Sequence, residues 1–398
     1  MTGLFALGSN GSGQLGIGHK EDVSVPKPVL FHCEPPSDPI TKIAAGGNHT
    51  VILTESGKAY WSGDSSKGAC GITTISTADN AQFEEFILAE SETLGPIAHI
   101  ACAWDSTTCV VRDEQGKARK VYSCGTGEQG QLGFEAKGIV EPKLVPDFPP
   151  EGTEVTHLAS GMAHIVAVLD NGDVYGWGNG RKGQLGQAVA LDDGAPPAPI
   201  INCAPCKIGS SSGVDFRVVN AVCGQYTTCL FGESTEGRVL VLGPDKWGLK
   251  SKAPSAIPGW NTVDGGWGDI FVAGEDGTLT AWGRDEHGQL PPPNLPKITK
   301  FVAGSEHSVA VTDSDEVISW GWGEHGNCGP QTDGPSGVVK ARWNVIASGD
   351  FLLKVLKLQR LGQDVQLAGF TYTQKACISR PRAILNNNSK ISWAMNSL

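Results

Sequence analysis

Val174-Tyr175-Gly176-Trp177-Gly178-Asn179-Gly180-Arg181-Lys182-Gly183-Gln184-Leu185-Gly186 decides the fold reading. A short β-type run, Val174 to Trp177, ends on a glycine, and a second glycine follows five residues later. The same glycine pair begins at Gly8, Gly63, Gly125, Gly178, Gly243, Gly283 and Gly321. It extends to Gly-Gln-Leu-Gly at Gly13–Gly16, Gly130–Gly133 and Gly183–Gly186. A fourth copy, Gly288-Gln289-Leu290, runs into Pro291, and the last reads Gly326-Asn327-Cys328-Gly329; those at Gly63 and Gly243 are degraded. The mean spacing of about 52 residues is near that of propeller blades and outside that of most helical solenoids.

A second motif alternates with the first. Its clearest copy is Ile43-Ala44-Ala45-Gly46-Gly47-Asn48-His49-Thr50-Val51, and it returns around Ala103, Gly161, Gly224, Gly266, Gly304 and Gly349. Each copy is an apolar run, a glycine bend and a second apolar run, which reads as a hairpin. A polar turn follows, such as Asp170-Asn171-Gly172-Asp173, and then the next strand. Seven such units predict an all-β, seven-bladed β-propeller with antiparallel blades. The chain opens on a lone strand, Leu4 to Gly8, and its repeats end on a hairpin, Val345 to Leu356. Pairing the two would close the ring and remove exposed edges. The expected domains are therefore the propeller over 1–357 and a basic, flexible tail over 358–398, whose net charge is +4.

Composition agrees with many short strands and tight turns. Gly 53 and Pro 24 make about 19% of the 398 residues, while 39% are hydrophobic and 18% charged. A net charge of −11 argues against non-specific binding to nucleic acid or anionic membranes. Met1 to Asn10 lacks the pattern of a secretory signal, and no run of about 18 apolar residues occurs. Eleven scattered cysteines read as reduced thiols, which places the protein in the cytoplasm, with the nucleus as a second compartment. Cys203-Ala204-Pro205-Cys206 has metal-knuckle spacing without a second ligand pair, and structural zinc needs four ligands. No nucleophile elbow or phosphate-cradling Gly-Lys loop is present, so an enzyme is not expected.

The paired motifs resemble the repeats of the regulator of chromosome condensation family, whose members are seven-bladed propellers. Several strings are similar to one group within it, the fungal alpha-tubulin suppressor or killer-toxin-insensitivity propellers. They include Gly8-Ser9-Asn10, Gly46-Gly47-Asn48-His49, Gly304-Ser305-Glu306-His307 and Trp320-Gly321-Trp322-Gly323-Glu324-His325-Gly326-Asn327-Cys328-Gly329-Pro330-Gln331. The resemblance implies a binding protein that pairs with a small CSL-type zinc-finger protein of diphthamide biosynthesis, a metal carrier that passes electrons. It further implies support of Elongator-dependent wobble-uridine modification and of diphthamide formation on translation elongation factor two. Any metal (Zn/Fe) then belongs to the partner, and this chain needs no cofactor. The insert at 187–215 and the tail beyond 357 have no counterpart in that pattern.

Loops of the second motif should gather on one face of the ring. Candidate partner-binding residues there are Asn48, His49, Trp104, Asp105, Trp267, Asp269, Glu306 and His307, joined by Trp322 and His325 from a glycine loop. Polar groups at these turns also have a structural use, satisfying backbone. Indoles in loops suit hot-spot anchors, and Asp105, Asp269 and Glu306 would form an acidic rim. Trp177, Trp282 and Trp320, each just before a first-motif glycine, should instead pack between blades. The competing functions are nucleotide exchange on a Ran-like GTPase, which the family's founder performs, and substrate adaptation for a ubiquitin ligase, for which no ligase domain is present.

Overall fold

In the computed structural model the described residues are 4–72, 81–88, 94–186 and 201–348, with the backbone of 358–359 and 365–366. Among them the strands form seven sheets, six of which open on an antiparallel second-motif hairpin followed by a strand that leads to a first-motif glycine. Blade 1 contains Ile40–Ala45, His49–Thr54, Ala59–Gly63 and Glu84–Glu85. Blade 2 contains Ile97–Ala103, Ser106–Arg112, Ala118–Thr126 and Ile139–Leu144. Blade 3 contains Val155–Ser160, His164–Leu169, Val174–Asn179 and Ile201–Ile208. Blades 4 and 5 have three strands each, Val218–Cys223, Thr228–Gly232, Val239–Leu242 and Trp260–Gly265, Asp269–Gly274, Leu279–Gly283. Blade 6 contains Ile298–Ala303, His307–Thr312, Val317–Trp322 and Val338–Ala347.

The propeller thus has six blades, not the seven expected. The motif at Gly8 marks a loop but not a blade, because among the described residues the sheet it belongs to has no second-motif hairpin. Its strand Phe5–Gly8 lies between Val23–Pro28 and the two residues Val365–Gln366. The hairpin expected to flank it, Val345 to Leu356, is not what stands there. Val345 belongs to the outer strand of blade 6, opposite Ile318. Residues 349–357, including the seventh second-motif copy at Gly349, lie outside the described residues. Ring closure through that hairpin is therefore not shown among the described residues. Counting glycine motifs overestimated the blades because a blade is defined by its inner hairpin.

Part of the insert has a clear place. Ile201–Ile208 is the outer strand of blade 3, and a 3₁₀ turn, Ser210–Ser212, follows it. In the tail, Leu358–Gln359 runs parallel to Ile43 and Ala44 of blade 1.

The core lies between blades, so the second strand of a blade is covered on both faces. His49–Thr54, His164–Leu169 and His307–Thr312 are accordingly buried along their whole length, which explains their unbroken Val and Ile runs. The cluster of Val166, Val168, Leu185, Leu230 and Leu242, for example, joins blades 3 and 4. Indoles lock the seams as expected. The Nε1–H of Trp177 donates to Gln131 O at 3.1 Å, that of Trp282 to Leu249 O at 2.9 Å and that of Trp320 to Gln289 O at 3.0 Å. The motif glutamines are buried and brace their own loops: Gln14, Gln131, Gln184 and Gln289 each accept the N–H two residues earlier. Outer strands carry Pro26 and Pro142, whose missing N–H discourages further strand pairing.

Candidate docking face

Strand direction puts both kinds of loop at one end of the propeller. The second strand of a blade starts at the second-motif bend and the third ends there, so His49 faces Gly63, His164 faces Gly178, Asp269 faces Gly283 and His307 faces Gly321. The first-motif glycines are required at this crossing. Gly63, Gly125, Gly178, Gly243, Gly283 and Gly321 have φ between 100° and 120°, and a Cβ on any of them would meet the carbonyl oxygen of the adjoining bend. All ten residues singled out from the sequence sit at this end, in its bends and adjoining loops.

Four of them are buried, and three of these sit directly beneath their bends. His49, Asp269 and His307 are each 2% exposed. Their carbonyls accept the N–H of the bend glycine, Gly46 at 2.8 Å, Gly266 at 2.8 Å and Gly304 at 2.6 Å. The side chains fold back under that glycine, where no β-carbon would fit. His49 Nε2 hydrogen-bonds Thr107 Oγ1 of blade 2 at 2.9 Å, and His164 Nε2 bonds Thr228 Oγ1 of blade 4 at 3.1 Å. Asn327 Nδ2 donates to His307 Nδ1 at 2.9 Å. These side chains hold bends and blades in place, the structural use weighed for them above.

Burial drives the His49 pKa down to about 4 and that of His164 down to about 3. The unfolded chain therefore binds protons that the native state refuses. Stability is full above the ordinary histidine pKa near 6.5 and is lost as pH falls from there toward 4. The melting temperature should drop across that window, and His164→Gln should make the drop shallower. An unchanged slope in the variant would contradict the assignment.

At the centre of the face, Trp104 of blade 2 and Trp267 of blade 5 meet, with ring centroids 6.1 Å apart and planes at 33°. Both are half-buried. Their backbones are tied to neighbouring bends: Trp104 N–H donates to Met162 O at 3.0 Å, and Gly47 N–H to Trp104 O at 2.7 Å. Trp267 N–H donates to Ser305 O at 3.0 Å. Beside Trp104, the carboxyl of Asp105 is held above the usual range, first by desolvation, with Asp64 and Glu128 adding to it against the pull of Lys67. Asn48, also half-buried, accepts the Asp64 N–H on its carbonyl at 2.8 Å.

A second cluster spans blades 4 to 6. Trp322 stacks on His287, with centroids 5.4 Å apart, and receives the edge of His325, whose Nδ1 is 2.8 Å from Asp22 Oδ2. Glu306 is 5% exposed and accepts from both Arg284 and His287, so it is an internal counter-charge rather than a rim acid. Arg284 also pairs with Glu286 at 2.6 Å and lies over Trp247, 5.1 Å from the ring centre. Lys246 Nζ stands 3.9 Å from the same ring. Trp247 holds φ at 59°, an unfavourable value for a bulky residue.

Trp247, Arg284 and His287 were missed in the sequence. They lie in first-motif loops, whereas most of the residues expected at the face lie in second-motif bends. The available signal was the degraded copy after Gly243, where Asp245-Lys246-Trp247 replaces the usual residues. Cys203 and Cys206 lie on the outer strand of blade 3. Cys223 and Cys229 are core thiols, that of Cys223 pushed up to about 12 by burial. Among the described residues no group of three or more His, Cys, Asp or Glu is arranged to hold a metal ion.

Comparison with known proteins places this architecture. An RCC1 repeat-containing protein of Schizosaccharomyces pombe is 28% identical over 81% of this chain and 88% of its own length. The secretion-regulating guanine nucleotide exchange factor of Mus musculus is 28% identical over 83% of this chain and 76% of its own. Among solved structures, Prp20p of Saccharomyces cerevisiae superposes with a TM-score of 0.73 at 21% identity, covering 94% of this chain and 92% of that one. The profile of the RCC1-like domain family matches residues 3–351, and this chain belongs to that family.

Proposed function

We propose that this chain is a non-catalytic docking propeller whose bend face grips a small CSL-type zinc-finger protein, the electron carrier of diphthamide biosynthesis. Through that heterodimer it supports Elongator-dependent wobble-uridine modification and diphthamide formation. The observation that carries the docking reading is the gathering of Trp104, Trp267, Trp247 and Trp322 at one end of the fold, half-buried and flanked by charge. Half-buried indoles on a braced backbone lose little entropy on binding and bury large area. The choice of partner rests on the likeness of Trp320 to Gln331 to the alpha-tubulin suppressor group.

A second reading is favoured by one relative, the mouse protein named as a guanine nucleotide exchange factor. One experiment separates the two. The purified chain is mixed with the recombinant zinc-finger protein and, separately, with a Ran-type GTPase loaded with labelled GDP. The proposal expects a stable one-to-one complex with the first and no accelerated GDP release from the second. The reverse pattern would replace it with exchange activity.

A further inference from the structure

We infer that the cleft between blades 3 and 4, at the rim of the bend face, binds a phosphorylated serine or threonine carried on a partner chain. The cleft has a volume of about 490 Å³. Its walls bring Lys182 from one first-motif loop and Lys250 from the next to the same space, together with the hydroxyls of Ser211 and Ser212. Among the described residues no aspartate or glutamate lines it.

The charge here runs against the rest of the molecule. In a chain of net charge −11, Arg181, Lys182, Lys250 and Lys252 are all exposed. Among the described residues none of the four forms a salt bridge with a carboxylate. The nearby carboxylate that could quench them, Asp245, accepts the backbone N–H of Lys250 at 2.8 Å and of Ser251 at 2.9 Å. Those bonds keep the Asp245 carboxyl below its usual range, so it stays charged and offsets one of the four cations, and the remaining surplus is left for an outside anion.

Size and donor chemistry narrow the anion. Two ammonium groups and two hydroxyls match a dianion with several acceptor oxygens better than a single carboxylate. The volume exceeds what a free phosphate fills and leaves room for the carrying side chain and its backbone. At one side Gly186 packs closely on Ser212, whose Oγ a β-carbon on Gly186 would strike. Leu240 and Leu242 supply an apolar wall for the methyl of a threonine.

The test uses the full chain and an immobilised degenerate peptide library centred on phosphoserine and phosphothreonine, read by retention and by competition. The library should retain the protein, and phosphatase treatment of the peptides should abolish retention. The double variant Lys182→Glu/Lys250→Glu should bind at least about tenfold more weakly with an unchanged melting temperature, since both side chains are exposed. Inorganic phosphate should compete poorly. The inference is overturned by equal retention on glutamate-centred peptides, by phosphate competing as well as the phosphopeptides, by preferential binding of a single-stranded oligonucleotide, or by undiminished binding of the double variant.

Discussion

Gly178→Ala should destabilise the protein by about 4 kcal/mol, read as a fall in the urea midpoint. At φ 100° an alanine pays roughly 1–2 kcal/mol for its β-carbon alone. That carbon would also lie 2.8 Å from His164 Cα and against the carbonyl oxygen of Ala163. Neither can step aside, because His164 and Gly178 are ladder partners and Ala163 O accepts the Asn179 N–H at 2.8 Å. Overpacking of that kind adds about 1–3 kcal/mol. Gly183→Ala is the matched control. Its φ is 81°, yet no described residue lies within 4 Å of the added carbon, so only the conformational cost of about 1 kcal/mol should appear. Equal losses in the two variants would show that crowding against the bend is not what demands glycine.

Trp104→Ala/Trp267→Ala should weaken the complex with the zinc-finger partner by about 3 kcal/mol, roughly a hundredfold in Kd by calorimetry. The two rings rest on each other and on braced bends, so the free protein presents them already ordered, and little entropy is lost on docking. Circular dichroism should remain that of the parent, because the rings cap the bends and are not part of the interblade clusters. Unchanged affinity would move the contact elsewhere on the face, and Trp322→Ala would then test the second cluster.

The all-β repeat architecture was legible in the sequence because glycine at positive φ and β-type runs are local demands. So were the interblade roles of Trp177, Trp282 and Trp320, since an indole before the crossing glycine has only the neighbouring blade to enter. The blade count was not legible. Seven glycine loops suggested seven blades, but one of them, at Gly8, lies in a sheet that has no inner hairpin among the described residues. Hairpin pairing is set by contacts between distant segments, and motif spacing does not report it.

The candidate face divides in the same way. Local sequence determined that the bends would hold polar groups and indoles, and strand direction determined that they would share one end. Only the tertiary structure decided which of them meet solvent. His49, Asp269 and His307 sit under their bend glycines, Glu306 is consumed by Arg284 and His287, and Trp104 finds Trp267 from three blades away in sequence. Burial and charge pairing are sums over neighbours brought together by the fold, and no single stretch of chain contains them.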